Sequence, residues 1–223
     1  MTVLAKVILF GVADFAALGH FYLKHDTPHE VVAFSVSAQY LPPGKIFEGL
    51  PVVEFEEVER RYPPGDYKFF APMSHRKMNR LREGVYKQIK AKGYELISYV
   101  SSKATVWPGA QIGDNCFILE DNTLQPFTPV GNNVVMWSGN HIGHHGAIHD
   151  HVLFTSHVVL SGHCTVEPFC FFGVNATIRD GLTIAEGSLI AMAASVIGDT
   201  EPWGVYKGNP AKKGQILSCD LDF

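Results

Sequence analysis

The chain has 223 residues, 46% hydrophobic and 18% charged, with a formal charge of −4. This excludes a disordered chain and gives no electrostatic reason to expect nucleic acid as a partner. The charge is uneven, with 14 Lys and Arg against 11 Asp and Glu through residue 103 and 4 against 11 beyond it, which places a domain boundary near 103. Four cysteines (Cys116, Cys164, Cys170, Cys219) form no CxxC pair and read as free thiols of a reducing cytosol. The apolar start, Met1 to Leu18, is interrupted by Lys6 and Asp14 and lacks a cleavage pattern. No other run approaches the ~18 apolar residues of a membrane span, so a soluble, cytoplasmic protein is expected.

The first part, 1–103, alternates strand and helix signals. Lys6 to Phe10 is an apolar run ending at Gly11, followed by a helical pattern from Asp14 to Leu23. Val31 to Phe34 is a second run, and Leu41-Pro42-Pro43-Gly44 is a loop. Pro51-Val52-Val53 leads into an acidic stretch, Glu54 to Arg61, and Pro63-Pro64-Gly65 breaks the chain. Tyr67 to Ala71 is a further strand, His75 to Lys92 reads as a basic helix, and Tyr94 to Val100 closes the unit. Strands alternating with helices predict a small α/β domain with a parallel sheet, Rossmann-like in class.

From residue 104 the period changes to six. Val106, Ile112, Ile118, Leu124, Val130, Met136, Ile142, Ile148, Phe154, Leu160, Val166, Phe172, Ile178, Ile184, Ile190 and Val196 are all apolar, and smaller residues such as Cys116, Thr128, Cys164 and Ala176 recur four positions later. A hexapeptide repeat predicts a left-handed parallel β-helix over 104–200. Three hexapeptides make one coil, so residues eighteen apart stack on one wall of a triangular prism. The first wall is Val106, Leu124, Ile142, Leu160, Ile178, Val196. The second is Ile112, Val130, Ile148, Val166, Ile184. The third is Ile118, Met136, Phe154, Phe172, Ile190. Pro202 is expected to end the ladder, because proline cannot donate to it.

Seven of eleven histidines fall in 23 residues: His141, His144, His145, His149, His151, His157 and His163. A histidine with the ordinary pKa of ~6.5 is a natural base for deprotonating an attacking amine or hydroxyl. Exposed β-helix turns also accommodate histidines as solvated decoration, and that reading stays open for each one singly.

The hexapeptide ladder, the preceding α/β unit, the histidine coil at 140–163 and the ending Tyr206-Lys207-Gly208-Asn209-Pro210-Ala211-Lys212 together resemble one family. It is the bacterial sugar acetyltransferases of the sialic-acid O-acetyltransferase type, including N-acetyltransferases of nucleotide-linked 4-amino-4,6-dideoxy sugars. The resemblance implies an acetyl-CoA-dependent enzyme of surface-glycan biosynthesis, a homotrimer with acetyl-CoA in the groove between neighbouring β-helices, and no metal. It puts the catalytic base at His144, with His145 where the family usually has an acid, and leaves His145 or His141 open as the base instead. Asp150 or a main-chain carbonyl is then left to orient the imidazole. It puts an oxyanion donor at Gly162, and the pantetheine arm along Gly173, Asn175, Ala191 and Ala193. The tail 201–223 would meet the CoA phosphates through Lys207 and Lys212. Glycine at 162 could equally serve a tight turn, and small residues are expected at β-helix corners.

For the sugar nucleotide the resemblance implies the turn at Gly11, the strand end at Ser35, the loop at Ser74, and His141. The N-terminus of the basic helix is a further candidate for its diphosphate. Sugar O-acetylation is the nearest alternative function. A zinc hydratase of the γ-carbonic-anhydrase type, which binds metal through three histidines, is the alternative of another class.

Overall fold

The computed structural model describes residues 4–221. The chain divides into two compact units: one holds the chain to Ser74 together with Gly84–Tyr99, the other His75–Glu83 together with the chain from Val100.

The first unit is a five-stranded sheet. It comprises β1 (Lys6–Phe10), α1 (Asp14–Asp26), β2 (Glu30–Val36), β3 (Ile46–Phe47), β4 (Leu50–Glu54), the single turn α2 (Val58–Arg61) and β5 (Lys68–Phe70), with strand order 3-4-2-1-5. β1 runs parallel to β2 and β5, β2 parallel to β4, and only the short β3 is antiparallel. Val7, Ile8 and Leu9 are fully buried, as a strand covered on both faces must be. Phe10, Phe55, Phe69 and Tyr94 pack edge to face beneath the sheet. The basic segment is not one helix from His75. It turns through Lys77, Met78 and Asn79, all at positive φ, and the helix α3 runs Arg80–Ala91.

The second unit is a β-helix of three sheets whose strands pair in parallel with a shift of eighteen residues as far as Val196, as in Val135↔Leu153, His141↔Val159 and Ala147↔Thr165. Fourteen of the sixteen hexapeptide positions are buried, and the first two, Val106 and Ile112, are partly so. The third wall carries the bulk, with the Phe154 and Phe172 rings stacked 4.4 Å apart and 5° from parallel. It also runs past the proline. A coil of sixteen instead of eighteen residues pairs Leu189 with Val205 and Ile190 with Tyr206, so Pro202 sits in the connecting turn, where no ladder donor is needed.

The corners explain the sixfold spacing of many polar residues. Three residues after each wall position, from Gly109 to Ala193 in steps of six, the backbone takes positive φ of 54–89°. Glycine, Asn, Asp and His tolerate this region best. Four of the clustered histidines, His145, His151, His157 and His163, occupy such corners. Asparagines at one corner form a ladder along the axis: Asn115 Nδ2 donates to Asn133 Oδ1 at 2.7 Å, and Asn133 Nδ2 lies 2.9 Å from His151 Nδ1. Within the same unit the buried Arg82 donates to the carbonyls of His151 and Val152, and Arg80 lies over the Trp203 ring at 4.5 Å. Two charges of the basic segment are thus held by the protein itself.

Candidate active site at a corner of the β-helix

His144 and His145 lie at the corner between the first and second walls. Each is fastened by its backbone to the preceding coil: His144 N–H donates to Gln125 Oε1 at 3.1 Å, and His145 N–H to Pro126 O at 3.3 Å. One coil on, His163 N–H donates to His144 O at 2.8 Å. The three imidazoles face one another, all exposed, with ring centroids 5.1–5.4 Å apart. His144 Nδ1 and His145 Nδ1 are 3.0 Å apart. A pair that close is bridged by a proton carried on one nitrogen and accepted by the other. Asp150, expected as a possible partner for His144, is engaged elsewhere: Oδ1 accepts from the Asn132 amide at 2.7 Å, eighteen residues back on its own corner.

Gly162 lies under the His144 ring. A Cβ there would come within 3.0 Å of His144 Cε1, so glycine makes room for the imidazole. Its φ is not in the left-handed region, so a tight turn is not the reason for glycine at this position. The Gly162 N–H donates to no acceptor among the described residues. Gly143, a residue the sequence reading missed, is required too, since a Cβ would lie 2.4 Å from the Gly162 amide nitrogen of the next coil.

Further residues at this corner were not legible beforehand. Trp107, Gln125, Pro126 and Phe127 line a cavity of about 220 Å³ one coil before the histidines. Phe127 is 73% exposed and holds a corner position at φ 67°, and its ring lies 4.7 Å from that of His145. A large aromatic where glycine or asparagine would be relaxed is the signal that could have found it.

The remaining expected residues fall into three separate places. His141 lies on the outward side of the first wall, beside Thr123 and Val159, and makes no side-chain hydrogen bond among the described residues. Asn175 and Ala193 are consecutive positions of the corner between the third and first walls, with Gly173 and Ala191 just before them. This is not the corner of His144 and Gly162, so a single chain does not bring the two sets together. At Gly173 a Cβ would meet the Met192 amide nitrogen at 2.4 Å, so close coil packing alone demands glycine there. Lys207 and Lys212 are exposed and lie directly opposite each other in an antiparallel pair, whereas Lys213 forms an ion pair with Glu201.

In the first unit, Gly11 (φ 108°) ends β1, and its N–H donates to Ser35 O at 2.8 Å. Gly11 and Ser74 line a cavity of about 270 Å³ with Phe10, Asp14, Phe15 and Met73. It opens at the carboxyl ends of β1 and β5, beside the start of α1, where open parallel sheets commonly bind ligands. Ser35, paired with Phe10 across the sheet and not part of the lining, is fully buried with its hydroxyl unpartnered. Among the described residues no helix is long and apolar enough to cross a membrane.

A six-residue period, parallel sheets in eighteen-residue register and a histidine corner define the class: a hexapeptide-repeat β-helix with the fold of the left-handed β-helix acyltransferases. The likeness extends to particular sugar acetyltransferases over nearly the whole chain. A histidine-to-asparagine variant of perosamine N-acetyltransferase from Caulobacter crescentus, solved in complex with CoA and GDP-perosamine, superposes with a TM-score of 0.83. The match covers 95% of this chain and 97% of that one at 20% identity. The acetyltransferase domain of PglB from Neisseria gonorrhoeae, also solved in complex with acetyl coenzyme A, matches with a TM-score of 0.80 at 19% identity, covering 94% and 99%. Among curated sequences, the acyl-[acyl-carrier-protein]–UDP-N-acetylglucosamine O-acyltransferase of Sinorhizobium fredii is 28% identical over 106 residues, 44% of this chain and 39% of that protein. The chain spans about two fifths of the length of such curated relatives. No family model matches it.

Proposed function

We propose that this protein transfers the acetyl group of acetyl-CoA to the amino group of a nucleotide-linked sugar, with His144 as general base. The observation that carries the reading is the His144–His145 pair, 3.0 Å apart and seated on Gly162, in a chain whose fold matches a sugar N-acetyltransferase over 95% of its length. With His144 donating its Nδ1 proton to His145, its Nε2 is left with a free lone pair. That atom takes the proton of the sugar amine as nitrogen attacks the thioester carbon. The C–N bond forms, the C–S bond breaks, and the CoA thiolate leaves and is protonated. The unengaged Gly162 N–H stabilises the developing oxyanion, as a fixed backbone donor does. His145 stands where a carboxylate would orient the base, and does that work as a neutral acceptor.

The nucleotide is assigned to the Gly11–Ser74 cavity of the first unit. The CoA phosphates are assigned to Lys207 and Lys212. Like charges directly opposite on paired strands destabilise each other, and an anion between them would reverse that. Pantetheine is assigned to the corner of Gly173, Asn175, Ala191 and Ala193. Since that corner and the base lie on different edges of one prism, the complete site needs a second copy, which this reading assigns to a homotrimer. Exposed Trp107, Phe127 and Met192, the last 74% accessible, fit such a contact. Sedimentation equilibrium should therefore report about three times the 24.6 kDa of one chain, and a stable monomer at micromolar concentration rejects the shared site.

The curated relatives favour a second reading, O-acylation, because the reaction in their name is on oxygen. A panel of UDP-, GDP- and dTDP-linked amino sugars and their hydroxyl counterparts, assayed by release of CoA thiol, separates the two. Turnover confined to the amino sugars is expected. Turnover of the hydroxyl sugars alone would replace the N-acetyl reading, and no turnover of any would remove both.

A further inference from the structure

The geometry points to a binding site for one transition-metal ion of the zinc, nickel or copper class on His144, His145 and His163. An ion there silences the base that the reading above places at His144. All three residues present a ring nitrogen, and these atoms lie within 4.8 Å of one another. Four-coordinate zinc holds imidazole nitrogens at ~2.0–2.1 Å, which sets them about 3.3 Å apart, so small side-chain rotations close the set. The backbone is already fixed for it. His145 and His163 occupy the same corner on successive coils at φ 54° and 59°, their rings 19° from parallel, and His163 N–H is tied to His144 O. Three exposed protein nitrogens leave a fourth position open to solvent, the arrangement of a site that can load from outside.

The composition of this part of the chain is compatible with a cation. No Lys or Arg occurs between Lys103 and Arg179, and beyond residue 103 acidic residues outnumber basic ones 11 to 4. Imidazole-only donor sets prefer copper, nickel and zinc to magnesium or calcium. A neutral imidazole that gives one ring nitrogen to a metal carries its proton on the other, so whichever His144 nitrogen holds the ion, Nε2 has no free lone pair for the amine, and metal and acetyl transfer exclude each other.

The test uses the full chain without a histidine tag. Titration with zinc chloride by calorimetry should give one ion per subunit, and cobalt(II) should develop the visible absorption of a four-coordinate site. His163→Asn tolerates the same corner backbone and should weaken zinc by at least roughly 100-fold, the upper end of what loss of an outer-shell partner costs. Zinc should also stop acetyl transfer by wild type, with recovery on adding EDTA. Absence of saturable zinc binding, or equal affinity of wild type and His163→Asn, overturns the site. Metal bound at these histidines with an unchanged transfer rate upholds the site and instead removes His144 from the chemistry, so the two readings fail separately.

Discussion

His144→Asn should lower the rate of the chemical step by about 10²–10⁴-fold, the usual contribution of a positioned acid–base group, with little change in affinity for acetyl-CoA. Asparagine is polar and near in size, so the corner and its bond to Gln125 survive while the proton acceptor goes. The neighbour discriminates base from bystander. His145 sits at positive φ, a region that Asn and Asp also tolerate, so substitutions there test side-chain chemistry without straining the backbone. His145→Asn should cost less than His144→Asn, because it removes an orienting acceptor, not the base. His145→Asp should restore most of the rate, since a carboxylate can accept the His144 Nδ1 proton. If His144→Asn keeps more than about a tenth of the wild-type rate while His145→Asn is nearly inactive, the two roles are reversed. If both variants stay fully active, the amine reacts already neutral and needs only positioning and the Gly162 donor.

The β-helix was legible because a coil of three hexapeptides must put every sixth side chain inward, and no polar residue survives at those positions. The end of the ladder was not. It depends on a coil shortened by two residues, which moves Pro202 into a turn and brings Tyr206 onto Ile190. The histidine cluster carried two messages that the sequence superimposed. His145, His151, His157 and His163 follow the six-residue corner period, so backbone conformation accounts for their position, whereas His144 lies off that period. The same register argument places Asp150 one coil beyond Asn132, away from His144. The contact between His144 and His145 could not be read from spacing. Adjacent residues meet there only because one precedes and one occupies a left-handed corner, and that is a matter of side-chain direction.

Phe154→Ala should destabilise the β-helix by about 3–5 kcal/mol, the range for removing a buried aromatic ring. The ring is fully buried and stacked on Phe172, and its strand pairs with Val135–Met136 on one side and Phe171–Phe172 on the other. The space left is walled by neighbouring coils that are tied together through the backbone, so it cannot collapse easily. In a stacked array each coil is stabilised mainly by its neighbours, so the loss at a central rung weakens two interfaces at once. Val106→Ala, in the first coil and only partly buried, weakens one interface and loses less apolar surface. Chemical denaturation should therefore show a much larger fall in midpoint for Phe154→Ala than for Val106→Ala. Equal small shifts would mean that the third wall tolerates a cavity at its centre, and that the stacked phenyl rings do not hold the coils in register.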